Sequence, residues 1–181
     1  MKQLLIMFVF CLLAVGLTGQ AEIEAKSKVI RSNSLQVNTL VGSSKIGLGI
    51  KYKSLYDVKN LVKVGWGVGL DSYSSGIKRN FIPLSVELIG DIFEGNRTPF
   101  YMFSMGYGIP LKEDAEFAEE SKGGLMVDVS LGYRSKKNKT QPFVAAGYRM
   151  QKATYTGEDA YGNDNKNVLY KRWSISAGLL F

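Results

Sequence analysis

The chain contains no histidine, the side chain that most hydrolases and acyltransferases use as a general base near neutral pH. No Ser–Lys pair or facing carboxylates stand out as a substitute, so no catalytic residue is assigned and no enzyme is expected. Asp159, Asn163, Asp164 and Asn165 are oxygen donors close together, but their spacing is not that of a calcium loop and Asn, Asp and Gly commonly build turns. No metal or cofactor is expected. What remains is a set of charges at alternate positions within otherwise small and apolar stretches: Lys51, Lys63, Glu87, Asp128, Arg134, Arg149 and Arg172. Enclosed charges need partners, and the expectation is that Glu87 and Asp128 pair with Arg149, Arg172 or Lys51.

The elements that carry these charges read as strands, because apolar residues recur with period two and never with helical spacing. The first two runs set Leu35, Val37, Thr39 and Val41, then Ile46, Leu48, Ile50 and Tyr52, on one face. The third is the clearest, with Val62, Val64, Trp66, Val68 and Leu70 opposed by Lys63, Gly65, Gly67 and Gly69. A fourth run, from about Phe81 to Phe93, opposes Leu84, Val86 and Leu88 to Ser85, Glu87 and Ile89. The fifth places Tyr101, Phe103, Met105 and Tyr107 together, and the sixth sets Leu125 to Tyr133 against Met126, Asp128, Ser130, Gly132 and Arg134. The seventh opposes Val144, Ala146, Tyr148 and Met150 to Ala145, Gly147, Arg149 and Gln151; the last opposes Trp173, Ile175, Ala177, Leu179 and Phe181 to Arg172, Ser174, Ser176, Gly178 and Leu180.

The connections after strands three, five and seven are longer and polar (Asp71 to Asn80, Pro110 to Lys122, Thr156 to Asn167). Those after strands two, four and six are compact, around Asp57 to Asn60, Glu94 to Thr98 and Ser135 to Gln141. Alternation of long and short connections fits a membrane barrel with loops at one rim and turns at the other. Gly42, Ser43 and Ser44 break the pattern with a tight hairpin. The loop from Lys112 to Lys122 is acidic (Glu113, Asp114, Glu116, Glu119, Glu120), and the turn at Lys136, Lys137 and Lys139 is basic.

The N-terminus reads as an export signal: a positive start at Lys2, an apolar run from Leu4 to Leu17, and small residues before a cut after Ala21. The run falls short of the roughly 20 residues that a spanning helix needs. Residues 1–21 are thus expected to be removed and 22–181 to form one β-barrel domain. Cys11 lies inside the run, so the exported chain would hold no disulfide or thiolate site. Of 23 basic and 16 acidic residues only Lys2 falls in the signal, leaving +6. In an exported chain that balance suits an anionic lipid surface better than nucleic acid, which is not expected as a partner.

A soluble β-barrel would alternate too, with its apolar face inward. Here the face opposite the large apolar residues is rich in Gly, Ser and charge, a poor dry core but a good polar lumen. The expected fold is all-β, a closed antiparallel up-and-down transmembrane barrel of eight strands, or ten if a loop hides a hairpin. Tyr52, Phe81, Tyr107, Tyr133 and Trp173 are expected at the membrane interfaces.

Gly65-Trp66-Gly67-Val68-Gly69-Leu70, Phe81-Ile82-Pro83-Leu84, Pro99-Phe100 before Gly106-Tyr107-Gly108, and the segment Trp173 to Phe181 resemble the small outer-membrane β-barrel family that includes OmpX and the transmembrane domain of OmpA, as found in Bacteroidetes-type bacteria. The resemblance spans essentially all of the exported chain. It implies a bacterial outer-membrane location, surrounding lipid, and insertion by the barrel-assembly machinery. By the same resemblance Trp173, Ile175, Leu179 and Phe181 form a C-terminal assembly signal. The leading expectation for function is a structural or surface-interaction role, with loops offered to an extracellular partner and a lumen plugged by paired charges. Two alternatives stand beside it: a narrow, porin-like pore or transporter for small solutes, and a soluble periplasmic barrel that binds an apolar ligand.

Overall fold

A computed structural model describes residues 30–42, 46–59, 61–75, 77–111, 120–159 and 162–181; the expected signal segment lies outside them. The described residues form nine strands and no helix: β1 (Arg31–Val41), β2 (Ile46–Lys59), β3 (Val62–Ser75), β4 (Ile77–Asp91), β5 (Arg97–Pro110), β6 (Glu120–Lys122), β7 (Gly124–Ser135), β8 (Gln141–Asp159) and β9 (Gly162–Leu180). Each long strand pairs antiparallel with its neighbours, and β9 returns to β1 in the ladder from Val41↔Trp173 to Ser34↔Leu180. The result is a closed barrel of eight staves. β6 is no separate stave: it carries the β7 stave upward past Gly123 and pairs Lys122 with Thr154 on β8. The pairing number slips by one residue between Lys122↔Thr154 and Met126↔Gln151, which is a bulge.

Period-two alternation of residue type becomes inside and outside. On β7 the buried Met126, Asp128, Ser130 and Arg134 alternate with the exposed Leu125, Val129, Leu131 and Tyr133. Val86, Leu131, Trp173 and Ile175 are each at least 60% exposed, whereas Glu87, Ser174 and Arg149 are at most 1% exposed. A protein surrounded by water does the reverse. Among the described residues the large apolar face points outward round the wall, the opposite of the arrangement a soluble barrel around an apolar ligand needs. In hydrocarbon that face is favourable and closure satisfies every backbone ladder.

Eight strands leave a bore that side chains nearly fill. Lumen-facing glycines accommodate the tight curvature: a Cβ at Gly65 would stand 2.8 Å from the Leu55 Cα and run into the Ser54 carbonyl. Gly106 likewise lies against the Leu84 carbonyl and the Ser85 Cα. Sheet backbones approach there more closely than any side chain permits.

Two expected loops are strands. The β3–β4 ladder runs out to Ser75↔Ile77 and the β8–β9 ladder to Asp159↔Gly162, where Asp71 to Asn80 and Thr156 to Asn167 had read as loops. The reason is that alternation reports a boundary between oil and water. Beyond the closed part of the barrel there is no enclosed lumen to oppose an outer face, so pairing persists without any apolar rhythm. Asn163, Asp164 and Asn165 sit in that ladder opposite Glu158, Gly157 and Thr156 and do not form a coiled turn. Glu113, Asp114, Glu116 and Glu119 lie outside the described residues. The short β1–β2 connection is real, since Val41 already pairs with Ile46. Gly42 lies under the Arg172 guanidinium, in space that a Cβ would take.

Gly65→Val is expected to lower the folding free energy by about 1–3 kcal/mol through overpacking, read as an earlier urea midpoint in detergent or lipid. An unchanged midpoint would show that β2 and β3 do not approach this closely at Gly65.

Candidate functional site: a charged belt between two apolar plugs

Because one face of every stave points inward, the lumen is a stack of layers. At the end that holds the chain termini, Leu55, Ile89, Phe100, Met102, Phe143, Ala145 and Leu180 form a buried apolar cluster. Phe100 and Phe143 meet edge to face at 5.7 Å. At the opposite end Leu40, Tyr73, Phe81 and Ala153 form a second cluster, with Tyr155 and Tyr170 packed on it. Tyr73 lies 5.4 Å from Phe81 and 5.1 Å from Tyr170, and the Tyr155 and Tyr170 hydroxyls are 2.9 Å apart. This corrects one expectation: Phe81 is 1% exposed inside the lumen and takes no part in an interfacial girdle. It shares a face with Ser85 and Glu87 on β4, and its parity outweighs its aromatic character. Tyr107, Tyr133 and Trp173 do face outward, and Trp173 meets its cross-strand partner Tyr148 edge to face at 5.3 Å.

The charges lie between the plugs. Glu87 on β4 receives Lys51 at 3.0 Å and Lys53 at 3.1 Å from β2, with Ser85 donating at 2.5 Å and Ser104 at 2.6 Å. Its two oxygens thus meet four donors. Lys51 and Lys53 must reach past β3 to do so, and β3 presents Gly67 and Gly69 there. A Cβ at Gly67 would stand 2.8 Å from the Glu87 Oε1, so the glycine makes room for the ion cluster.

A second cluster centres on Arg149 of β8. Its Nε donates to Asp128 at 2.7 Å, directly across the β7–β8 ladder, and its Nη1 donates to Asp71 of β3 at 2.6 Å across the bore. Ser130 donates to Asp128 at 2.9 Å. A neutral patch on β1 and β9 completes the belt: Gln36 donates to Ser176 at 3.2 Å, and Ser176 donates to Asn38 at 2.9 Å. Nearer the termini, Asp91 takes both Arg134 and Lys136.

Of the five charges singled out in the sequence, the structure brings Lys51 to Glu87 and Arg149 to Asp128. Arg172 is buried beside Gly42. Lys53 and Asp71 complete the clusters although neither was expected in them. Both obey parity: Lys53 follows Lys51 by two residues, and Asp71 follows Gly65, Gly67 and Gly69 on the same face. Lys63, by contrast, belongs to the turn end, where it pairs with Asp57. In the terminal segment Trp173, Ile175, Leu179 and Phe181 all point outward, while the Phe181 backbone exchanges hydrogen bonds of 2.8 and 2.6 Å with Asn33.

Chemically, this belt crosslinks staves. Ser85, Ser104 and Ser130 donate to carboxylates that already carry cations, and the lysines and arginine are committed to those carboxylates. Removing one member leaves a buried charge unpaired, which costs about 3–5 kcal/mol. Glu87→Ala, which strands two lysines, is expected to shift the unfolding midpoint down by a corresponding amount. Glu87→Gln should recover part of the loss through its hydrogen bonds. Wild-type stability in Glu87→Ala would contradict the crosslinking role.

No known family profile matches the chain, and no curated protein matches it by sequence. Solved structures do match in fold. Neisserial surface protein A is 14% identical, with 83% of this chain and 94% of that one covered and a TM-score of 0.56. The outer-membrane protein AlkL, solved in lipid bilayers, is 15% identical over 88% of this chain and 95% of that one, with a TM-score of 0.55. The N-terminal β-barrel domain of Pseudomonas aeruginosa OprF is 13% identical over 85% of this chain and all of that one, with a TM-score of 0.51. Identities this low carry the fold alone: the chain is a closed eight-stranded antiparallel β-barrel resembling the small outer-membrane barrels.

Proposed function

We propose that the protein is an outer-membrane β-barrel with a structural or surface-interaction role, its lumen closed to solutes. The observation that carries this reading is the layering of the bore. Two buried apolar clusters flank a belt in which Glu87, Asp71 and Asp128 hold Lys51, Lys53 and Arg149. A hydrated ion entering such a bore would have to part both apolar plugs and displace ion pairs made in a low-dielectric interior, which strengthens them. The narrow-pore alternative needs a continuous polar path, and the Phe100–Phe143 contact at one end and the contacts of Tyr73 and Phe81 with Tyr170 at the other fill the bore with apolar side chains.

The surface-interaction part of the reading is supported by the strands that rise past the barrel. Among the described residues, β9 above Trp173 pairs with β8 alone, because β1 ends at Val41. With β6 on the other edge of β8, β6, β8 and β9 form a three-stranded ribbon that continues past the β1–β9 ladder. It is polar and presents backbone groups of β9 along one edge, a form suited to extracellular contacts. We read the chain as non-catalytic, since Ser85, Ser104 and Ser130 donate to ion-paired carboxylates and the sequence lacks histidine.

Planar-bilayer recording of the refolded protein tests closure. The expected trace stays at baseline, with Glu87→Ala producing at most brief openings. Steady unitary conductance in the wild-type protein would overturn the plugged-lumen reading in favour of a solute pore.

A further inference from the structure

The rim at the chain termini has an uneven chemistry that barrel closure does not require. The β4–β5 turn exposes two apolar side chains, Ile92 at 45% and Phe93 at 64%. They are held out by a tightly bonded turn. The Ile92 N–H donates to the Pro99 carbonyl at 3.0 Å, and the Thr98 hydroxyl donates to the Phe93 carbonyl at 2.6 Å. The neighbouring β7–β8 turn is tied to it by the Lys136 N–H, which donates to the Asn96 carbonyl at 2.7 Å. That pair of turns exposes Arg97, Lys137 and Lys139. The carboxylates nearby do little to offset them: Asp91 is buried and already holds Arg134 and Lys136, leaving Glu94 as the exposed acid of the two turns.

An apolar pair flanked by three exposed cations, continuous with a lipid-facing wall, has the composition of an interfacial lipid anchor. Apolar side chains enter the boundary between headgroups and acyl chains, and cations beside them meet phosphates. We propose that the paired β4–β5 and β7–β8 turns bind anionic phospholipid headgroups, with Arg97, Lys137 and Lys139 on the phosphates and Phe93 and Ile92 set below them. This inference rests on the membrane reading. It goes beyond that reading by giving one rim a lipid preference, and hence a leaflet. A soluble acidic partner would suit the cations but leave Phe93 in water, whereas a lipid surface suits both.

The test reconstitutes the full barrel into phosphatidylcholine vesicles that carry a small fraction of nitroxide-labelled phosphatidylglycerol or nitroxide-labelled phosphatidylcholine. The protein-restricted share of each probe is then read by electron spin resonance. At low salt the phosphatidylglycerol probe is expected to be enriched about fivefold or more over the phosphatidylcholine probe, the scale of a single well-placed cation. R97Q/K137Q/K139Q should abolish the enrichment, and F93S should weaken it. K152Q, at the opposite end, should leave it unchanged. Phe93, Lys137 and Lys139 fall in exposed turns, and Arg97 and Lys152 are exposed strand residues, so the turn bonds made by backbone and Thr98 are kept; a boiling-dependent gel shift confirms that each variant is folded. Equal restriction of the two probes, or enrichment that survives the triple change, would overturn the proposal while leaving the barrel reading intact. Failure of the wild-type protein to insert into any vesicle would instead sink the membrane reading.

Discussion

In hydrocarbon no water can take up an unpaired N–H or C=O, so the ladder that joins β9 to β1 is the constraint on which the rest depends. Between Val41↔Trp173 and Ser34↔Leu180 it removes the two edges that the sheet would otherwise expose. Closure at eight staves then fixes the bore, and with it the share of each strand that must point into a narrow interior. Every other feature follows from having one face on the outside of the wall and the other in that bore. Large branched residues go out, while Gly, Ser and paired charges go in.

A bore this narrow has no room for loosely hydrated charge, which explains why its ions come in paired groups. Glu87 is held by two lysines and two serine hydroxyls, and Arg149 by carboxylates from two different staves. Both groups span staves far apart in sequence, joining β2 to β4 and β3 to β8. The apolar clusters above and below keep water from competing for these contacts, which raises both their strength and the penalty for breaking one. Room for the ions comes from absent side chains, as at Gly67, so the glycine-rich face of β3 and the charges of β2 and β4 are one design.

Much of this was legible in the sequence because period two is read directly from residue types. The opposed faces of β3, β4 and β7 follow from Trp66, Val86 and Val129 on one side and Gly67, Glu87 and Asp128 on the other. Parity also contained what the reading missed. Lys53 lies two residues beyond Lys51, Asp71 two beyond Gly69, and Phe81 shares the face of Glu87. Asp71 and Phe81 were misjudged where residue character was allowed to outweigh parity, the one taken for a loop residue and the other for an interfacial aromatic, while Lys53 was not singled out. Two things were not legible. The ladders past the rim, out to Ser75 and Asp159, carry no oil–water rhythm. The choice of partners, Glu87 with both Lys51 and Lys53 and Arg149 with Asp71, depends on how strands tilt across the bore, which a one-dimensional pattern does not encode.

The central claim is the inversion, apolar outside and charged within, and the chain carries its own probes for it. It has two tryptophans, Trp66 and Trp173, and both face outward. The most direct measurement is their fluorescence in vesicles of brominated phosphatidylcholine, compared with unbrominated vesicles and with added aqueous iodide. The account predicts strong quenching by the bromolipid and little by iodide. Emission quenched by iodide and indifferent to bromolipid would place the apolar wall in water and contradict it.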